Sequence, residues 1–164
     1  AVNTIVVGEK LTGYNTDAYG FRQSLKPFLT AAHHRALILG TGGASKAVYF
    51  VLQEIGIDCA FVTRHKAALP EGVLGFSYEE LNPYIIQAFG LIVNTTPVGT
   101  FPDVNDCPAL PYASLTSEHL LYDLIYNPAE TLFMKNGRQF GATAMNGSDM
   151  LTAQAEKAWE IWNS

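Results

Sequence analysis

One stretch of this chain has the makings of an anion cradle. Gly40-Thr41-Gly42-Gly43-Ala44-Ser45 follows the apolar run Arg35-Ala36-Leu37-Ile38-Leu39 and precedes a helical stripe of Ala47, Val48, Phe50, Val51, Leu52 and Ile55. A glycine-rich turn between strand and helix lets the backbone approach a pyrophosphate. The helix N-terminus adds unpaired N–H groups and partial positive charge. The third small position of the usual pattern is Ser45 where Gly is common, so the motif is a variant, and its competing reading is a plain tight turn. The next apolar run, residues 58–63, ends in Thr63-Arg64-His65-Lys66. Sites for NAD place Asp or Glu there to accept ribose hydroxyls. No acid stands there in this sequence, and Arg64 could bind a 2′-phosphate through charge-assisted hydrogen bonds. The pattern predicts NADP; the alternative is a solvated basic loop.

Other candidates are weaker. Asn15-Thr16-Asp17 reads first as a helix N-cap. Asn94-Thr95-Thr96-Pro97-Val98-Gly99 follows an apolar run at its carboxyl end, the edge where open α/β sheets bind ligands; its competing reading is a turn. The histidines His33, His34, His65 and His119 show no metal spacing and read as surface residues. There is no Gly-x-Ser-x-Gly and no Cys–His pair of convincing spacing.

These residues need a scaffold, and the chain encodes one. Strands are expected at residues 2–7, with a short partner at 10–13, and at 35–39, 58–63, 90–94, 120–124 and 139–144. Helices are expected from residue 15 to a stop at Pro27, across 46–55 with Gly56 after it, at 79–89, at 129–136 closed by Gly137, and at 148–162. Residues 97–111 read as an irregular functional loop. Alternating strands and helices predict a Rossmann-like, doubly wound α/β fold, with a mainly parallel sheet covered by helices on both faces. The chain has 164 residues, is 48% apolar and only 15% charged, and carries a net charge of −5. That excludes a disordered chain, argues against a nucleic-acid partner, and leaves no apolar run near the roughly 18 residues of a membrane span. Cys59 and Cys107 make no disulfide framework, so a reducing, cytoplasmic compartment is expected. The start, Ala1-Val2-Asn3-Thr4-Ile5, lacks a Met and reads as a piece of a longer protein.

Six ordered blocks together resemble the shikimate dehydrogenase family across nearly the whole chain. They are Ala1-Val2-Asn3-Thr4, Gly13-Tyr14-Asn15-Thr16-Asp17, the glycine turn through Ala47, Val93 to Gly99, Tyr122 to Pro128 with Thr131, and Gly147 to Leu151 with Gln154-Ala155. The resemblance implies NADP-dependent reduction of 3-dehydroshikimate to shikimate, with this chain as the C-terminal cofactor domain. The N-terminal substrate domain, with the family's catalytic lysine, would be missing, and the piece alone would be inactive. It divides the chain into a junction segment at 1–30, a cofactor domain at 31–144, and a junction helix at 145–164.

Residue by residue, the resemblance makes Asp17 the carboxylate of a Lys–Asp catalytic pair. It makes Asn3, Gln154 and Tyr126 substrate-side hydrogen-bonding groups. Gly40, Thr41, Gly42, Gly43 and Ala44 would cradle the pyrophosphate, with Thr63, Arg64 and His65 at the cofactor's phosphate. Here Thr63-Arg64-His65 stands where the family usually has Asn-Arg-Thr. Leu124 and Gly147 would flank the nicotinamide. A quinate/shikimate dehydrogenase paralogue and a non-catalytic NADP-binding regulatory module are the alternatives.

Overall fold

The computed structural model describes residues 2–164. Strand β1 (Thr4–Val7) pairs antiparallel with β2 (Leu11–Tyr14) as a separate hairpin. Helix α1 (Thr16–Leu25) follows and ends in a 3-10 turn around Pro27, Lys26–Phe28. Strand β3 (Arg35–Leu39), helix α2 (Gly43–Glu54), strands β4 (Asp58–Val62) and β5 (Gly75–Phe76), helix α3 (Pro83–Ala88) and strand β6 (Leu91–Asn94) come next. Strand β7 (Leu120–Asp123), helix α4 (Leu132–Gln139), strand β8 (Thr143–Met145) and helix α5 (Ser148–Trp162) complete the chain. Strands β3 to β8 form one parallel sheet in the order β5-β4-β3-β6-β7-β8. The expected doubly wound parallel fold is present.

Strand β3 explains why the centre of the sheet reads as an unbroken apolar run. Its Ala36 and Ile38 face a core built from Phe21 and Leu25 of α1, Val48, Val51 and Leu52 of α2, and Met150 of α5. Its Leu37 and Leu39 face the opposite core, with Ile86 of α3 and Phe133 and Met134 of α4. A strand buried on both faces has no polar alternation to show.

Several expectations change. The 79–89 helix is a 3-10 turn, Tyr78–Glu80, followed by the short α3, because Pro83 can only begin a helix. Gly137 lies inside α4, where a Cβ would sit 2.4 Å from Leu121 Cδ2, so it serves close helix–sheet packing. Gly141, with φ near +91°, is the residue that closes α4, and the last strand begins later than residue 139. His33 and His119 are buried, against the surface reading. His33 Nδ1 accepts from Thr30 N at 3.0 Å and its Nε2 donates to Glu118 O at 3.1 Å. His119 Nδ1 accepts from Thr116 N and its Nε2 donates to Ile86 O, both at 3.0 Å. Burial holds the His33 imidazole below its usual pKa, which suits a neutral ring tying two turns together.

Candidate active site

Strands β3 and β6 are adjacent, and the chain leaves them toward opposite edges of the sheet. This switch point opens a crevice at the carboxyl ends of the strands, the place where such sheets bind ligands. Gly40 leaves β3 with φ near +96°, and a Cβ there would stand 2.9 Å from Thr96 Cγ2 and 3.2 Å from Thr95 Oγ1. Both constraints demand glycine. Gly42 caps α2 in an extended conformation, and no side chain accepts from the helix's first turn. A Cβ built on Gly42 or Gly43 would meet no atom within 4 Å. The chain therefore presents an open helix N-terminus with empty room over its glycines, which suits a pyrophosphate. Ser45 is fully buried and donates from Oγ to Gly42 O at 2.6 Å, fastening the turn where the common pattern has a third glycine.

Two cavities meet in this crevice. The first, about 530 Å³, is lined by Gly40, Thr41 and Gly42, by Thr63, Arg64 and His65 at the end of β4, and by Tyr78 and Glu79. The second, about 420 Å³, is lined by Ala44, Leu124, Ile125, Tyr126 and Asn127. Thr95, Thr96 and Pro97 line both and join them into one groove. Thr63 is buried, and its Oγ1 accepts from His65 N at 3.1 Å, which shapes the turn that exposes Arg64. Leu124 is also in contact with Gly147, whose Cβ would fall 2.2 Å from Leu124 O. No other residue fits between β7's end and the start of α5.

A buried polar network fixes the floor of this groove. Asp123, fully buried at the end of β7, accepts from Asn94 Nδ2 at 3.0 Å, Ile125 N at 3.1 Å and Thr131 Oγ1 at 2.7 Å. Asn94 Oδ1 in turn accepts from Thr96 N and Thr96 Oγ1. One carboxylate thus ties β6, the Leu124–Asn127 loop and the cap of α4 together. Burial pushes the Asp123 carboxyl up to about 6, against the three hydrogen bonds that favour its charge. The pKa is higher folded than unfolded, so the folded state binds the proton more tightly. The stability tied to it is present in acid and lost as pH rises from about 4 through about 6, on the order of 3 kcal/mol. Asp123→Asn removes the titration and keeps the shape. The melting temperature of the variant minus that of the parent is expected to rise by several degrees between pH 4 and pH 7. A flat difference would show that Asp123 ionises normally.

The remaining predicted residues form a separate cluster. Asn3 Nδ2 donates to Thr16 Oγ1 at 3.0 Å, Thr16 N donates to Asn3 Oδ1 at 2.9 Å, and Gln154 Oε1 lies 3.2 Å from Thr16 Oγ1. Thr16 is nearly inaccessible, so these contacts fasten the hairpin, α1 and α5 to one another. Asp17 is the next residue, half-buried in the first turn of α1. The cap of α1 is Asn15, whose side chain accepts from Ala18 N at 3.0 Å, so Asp17 is not needed for capping. Asn3, Asp17 and Gln154 line neither cavity of the groove, whereas Tyr126 is exposed within the second. Among the described residues no group of three or more His, Cys, Asp or Glu is placed to hold a metal, and no helix is long and apolar enough to cross a membrane.

Sequence reasoning passed over Tyr78, Glu79 and Asp123 as site residues. Asp123 carries a faint signal, an acid ending an apolar run. Glu79 carries none, since only the pairing of β5 with β4 brings it to the crevice.

A scan against models of protein families gives no match. The chain is 38% identical over 179 residues to the shikimate dehydrogenase (NADP(+)) of Halothermothrix orenii, covering 99% of this chain and 62% of that protein. The crystal structure of shikimate 5-dehydrogenase from Thermus thermophilus, in complex with NADP(H) and shikimate, superposes with a TM-score of 0.83 at 34% identity, over 99% of this chain and 62% of that one. Quinate dehydrogenase from Corynebacterium glutamicum, in complex with NAD, gives 0.84 at 27% identity with the same coverage. The chain spans about three fifths of the length of the curated relatives it matches. With its Rossmann-like sheet and a homologous match along 99% of its length, the chain belongs to the shikimate dehydrogenase family.

Proposed function

We propose that this chain is the NADP-binding part of an enzyme that reduces 3-dehydroshikimate to shikimate. The observation that carries the reading is one cavity joining the uncapped α2 N-terminus, with its open glycines, to Arg64. The pyrophosphate would rest on the Gly42–Ala44 backbone, and the Arg64 guanidinium would take the 2′-phosphate. Thr63 and His65 shape that turn. Leu124 and Gly147 would wall the nicotinamide, and Tyr126 would face the substrate. When bound, the reduced cofactor supplies the hydride for the ketone carbon. Asp17, with a lysine from a substrate domain, would handle the proton, while Asn3 and Gln154 would hold substrate hydroxyls.

In this reading, residues 1–30 and 145–164 form the junction to that domain, and residues 31–144 bind the cofactor. The hairpin and the end of α5 fit such a role. Ile5, Val7, Leu11, Trp159 and Trp162 are all exposed there, more apolar surface than a solvated face needs. Without the substrate domain the chain would bind cofactor and turn nothing over.

Arg64→Ala tests the cofactor assignment. It is expected to weaken NADP binding by roughly 1.5–3 kcal/mol, the scale of a hydrogen bond to a charged group, and to leave NAD binding nearly unchanged. Titration calorimetry reads both constants. Equal loss for the two nucleotides would mean that Arg64 supports the loop and does not read the phosphate.

A further inference from the structure

The absence of an acid after β4 in the sequence is not an absence of acid in the site. Phe76 of β5 pairs with Val62, and Thr63 N donates to Phe76 O at 3.0 Å. The turn Tyr78–Glu80 is thereby set beside the Thr63–His65 loop, and Tyr78 and Glu79 line the same cavity as Arg64. The neighbouring charges sort into two kinds. Glu80 accepts from Lys66 Nζ at 2.7 and 2.9 Å and from Ser77 N at 2.7 Å, so this acid and this lysine are occupied with each other. Among the described residues Glu79 has no cation partner and Arg64 has no carboxylate partner. Hydrogen bonding from the Ser77 hydroxyl holds the Glu79 carboxyl below its usual pKa, so it is ionised at neutral pH. The cavity lining thus carries one guanidinium and one carboxylate, neither paired with an opposite charge.

We propose that Glu79 is a specificity-determining residue that limits the preference for NADP over NAD. Its carboxylate repels the 2′-phosphate that Arg64 attracts and is placed to accept a hydrogen bond from the free ribose hydroxyl of NAD. The proposal rests on the reading of this groove as a dinucleotide site. It makes the protein a weak discriminator: opposite charges lining one cavity favour opposite cofactors. The two signals come from segments that only the β4–β5 pairing brings together.

The test is titration calorimetry of NADP and NAD against the parent chain, Glu79→Gln and Glu79→Asp. Glu79 is exposed, and glutamine keeps its length and its hydrogen bond from Ser77. Glu79→Gln is expected to raise the NADP-to-NAD affinity ratio about three- to tenfold, mostly by tighter NADP binding. The gain should shrink with added salt, because the repulsion is between solvated charges. Glu79→Asp keeps the charge and should stay near the parent ratio. An unchanged ratio in Glu79→Gln, or an equal rise in Glu79→Asp, overturns the proposal and leaves the dinucleotide site standing. Failure of the parent chain to bind either nucleotide overturns both.

Discussion

In the proposed enzyme, with a substrate domain joined to this chain, replacing Asp17 with Asn is expected to lower kcat/KM by about a hundredfold or more, on the order of 2.7 kcal/mol of transition-state stabilisation. A positioned acid–base group typically contributes about 10²- to 10⁴-fold. Helix α1 has its own cap in Asn15, so the substitution does not touch capping. It removes a first-turn charge that the helix dipole favours by roughly 0.3–1 kcal/mol. For a chain of this size that is about 1–4 °C in Tm. Asp17 makes no hydrogen bond or ion pair among the described residues, and the nearly isosteric Asn breaks none. The expected signature is a near-parental Tm with most activity gone. Full activity at unchanged Tm would return Asp17 to an ordinary place on a helix and remove the Lys–Asp pair from the proposed mechanism.

The second large effect is expected at Gly42. Gly42→Val should abolish NADP binding, a loss beyond about a hundredfold in Kd, while the fold survives. The site makes this a clean test. Gly42 has φ near −75° and ψ near −171°, a conformation open to any residue, and a Cβ there meets no protein atom within 4 Å. The new side chain fills only the room through which the pyrophosphate would approach α2. Losing glycine at the cap should destabilise the helix by about 1 kcal/mol at most. Gly40 would be a poor choice for the same test, because its positive φ and its contact with Thr96 make any substitution a folding defect. Intact binding in a folded Gly42→Val would remove the turn from the site.

The legible parts of the fold were those where local sequence and tertiary position agree. β3, β4, β6 and β7 are buried on both faces and read as apolar runs, and the turn at residues 40–45 stands between a strand and a helix as its glycines predict. Strand β5 was not legible. It is two residues long and exists because Phe61 N and Thr63 N find carbonyls of Leu74 and Phe76. Gly137 looked like a terminator because isolated glycines usually are; its reason is the Leu121 side chain on a strand distant in sequence. His33 and His119 looked like surface residues because their buried partners are backbone groups, which no side-chain pattern reveals.

The site divides the same way. Gly40, Gly42 and Arg64 belong to one βα unit and its successor strand, and they were readable together. Asn3, Thr16 and Gln154 meet only because α1 packs along α5, where Gly20 lets the backbone of Met150 approach within 2.5 Å of its would-be Cβ. Asn3 and Gln154 are placed by family resemblance, since no local pattern brings residue 3 to residue 154. Glu79 had neither a local pattern nor a motif. Its place beside Arg64 follows from strand pairing alone.

The most direct test of the account is calorimetric titration of the 164-residue chain with NADP, with Gly42→Val in parallel. Saturable binding at one site per chain is expected in the parent and none in the variant, with similar cooperative melting for both proteins. A parent chain that melts cooperatively yet takes up no NADP, or a folded variant that binds as the parent does, would contradict it.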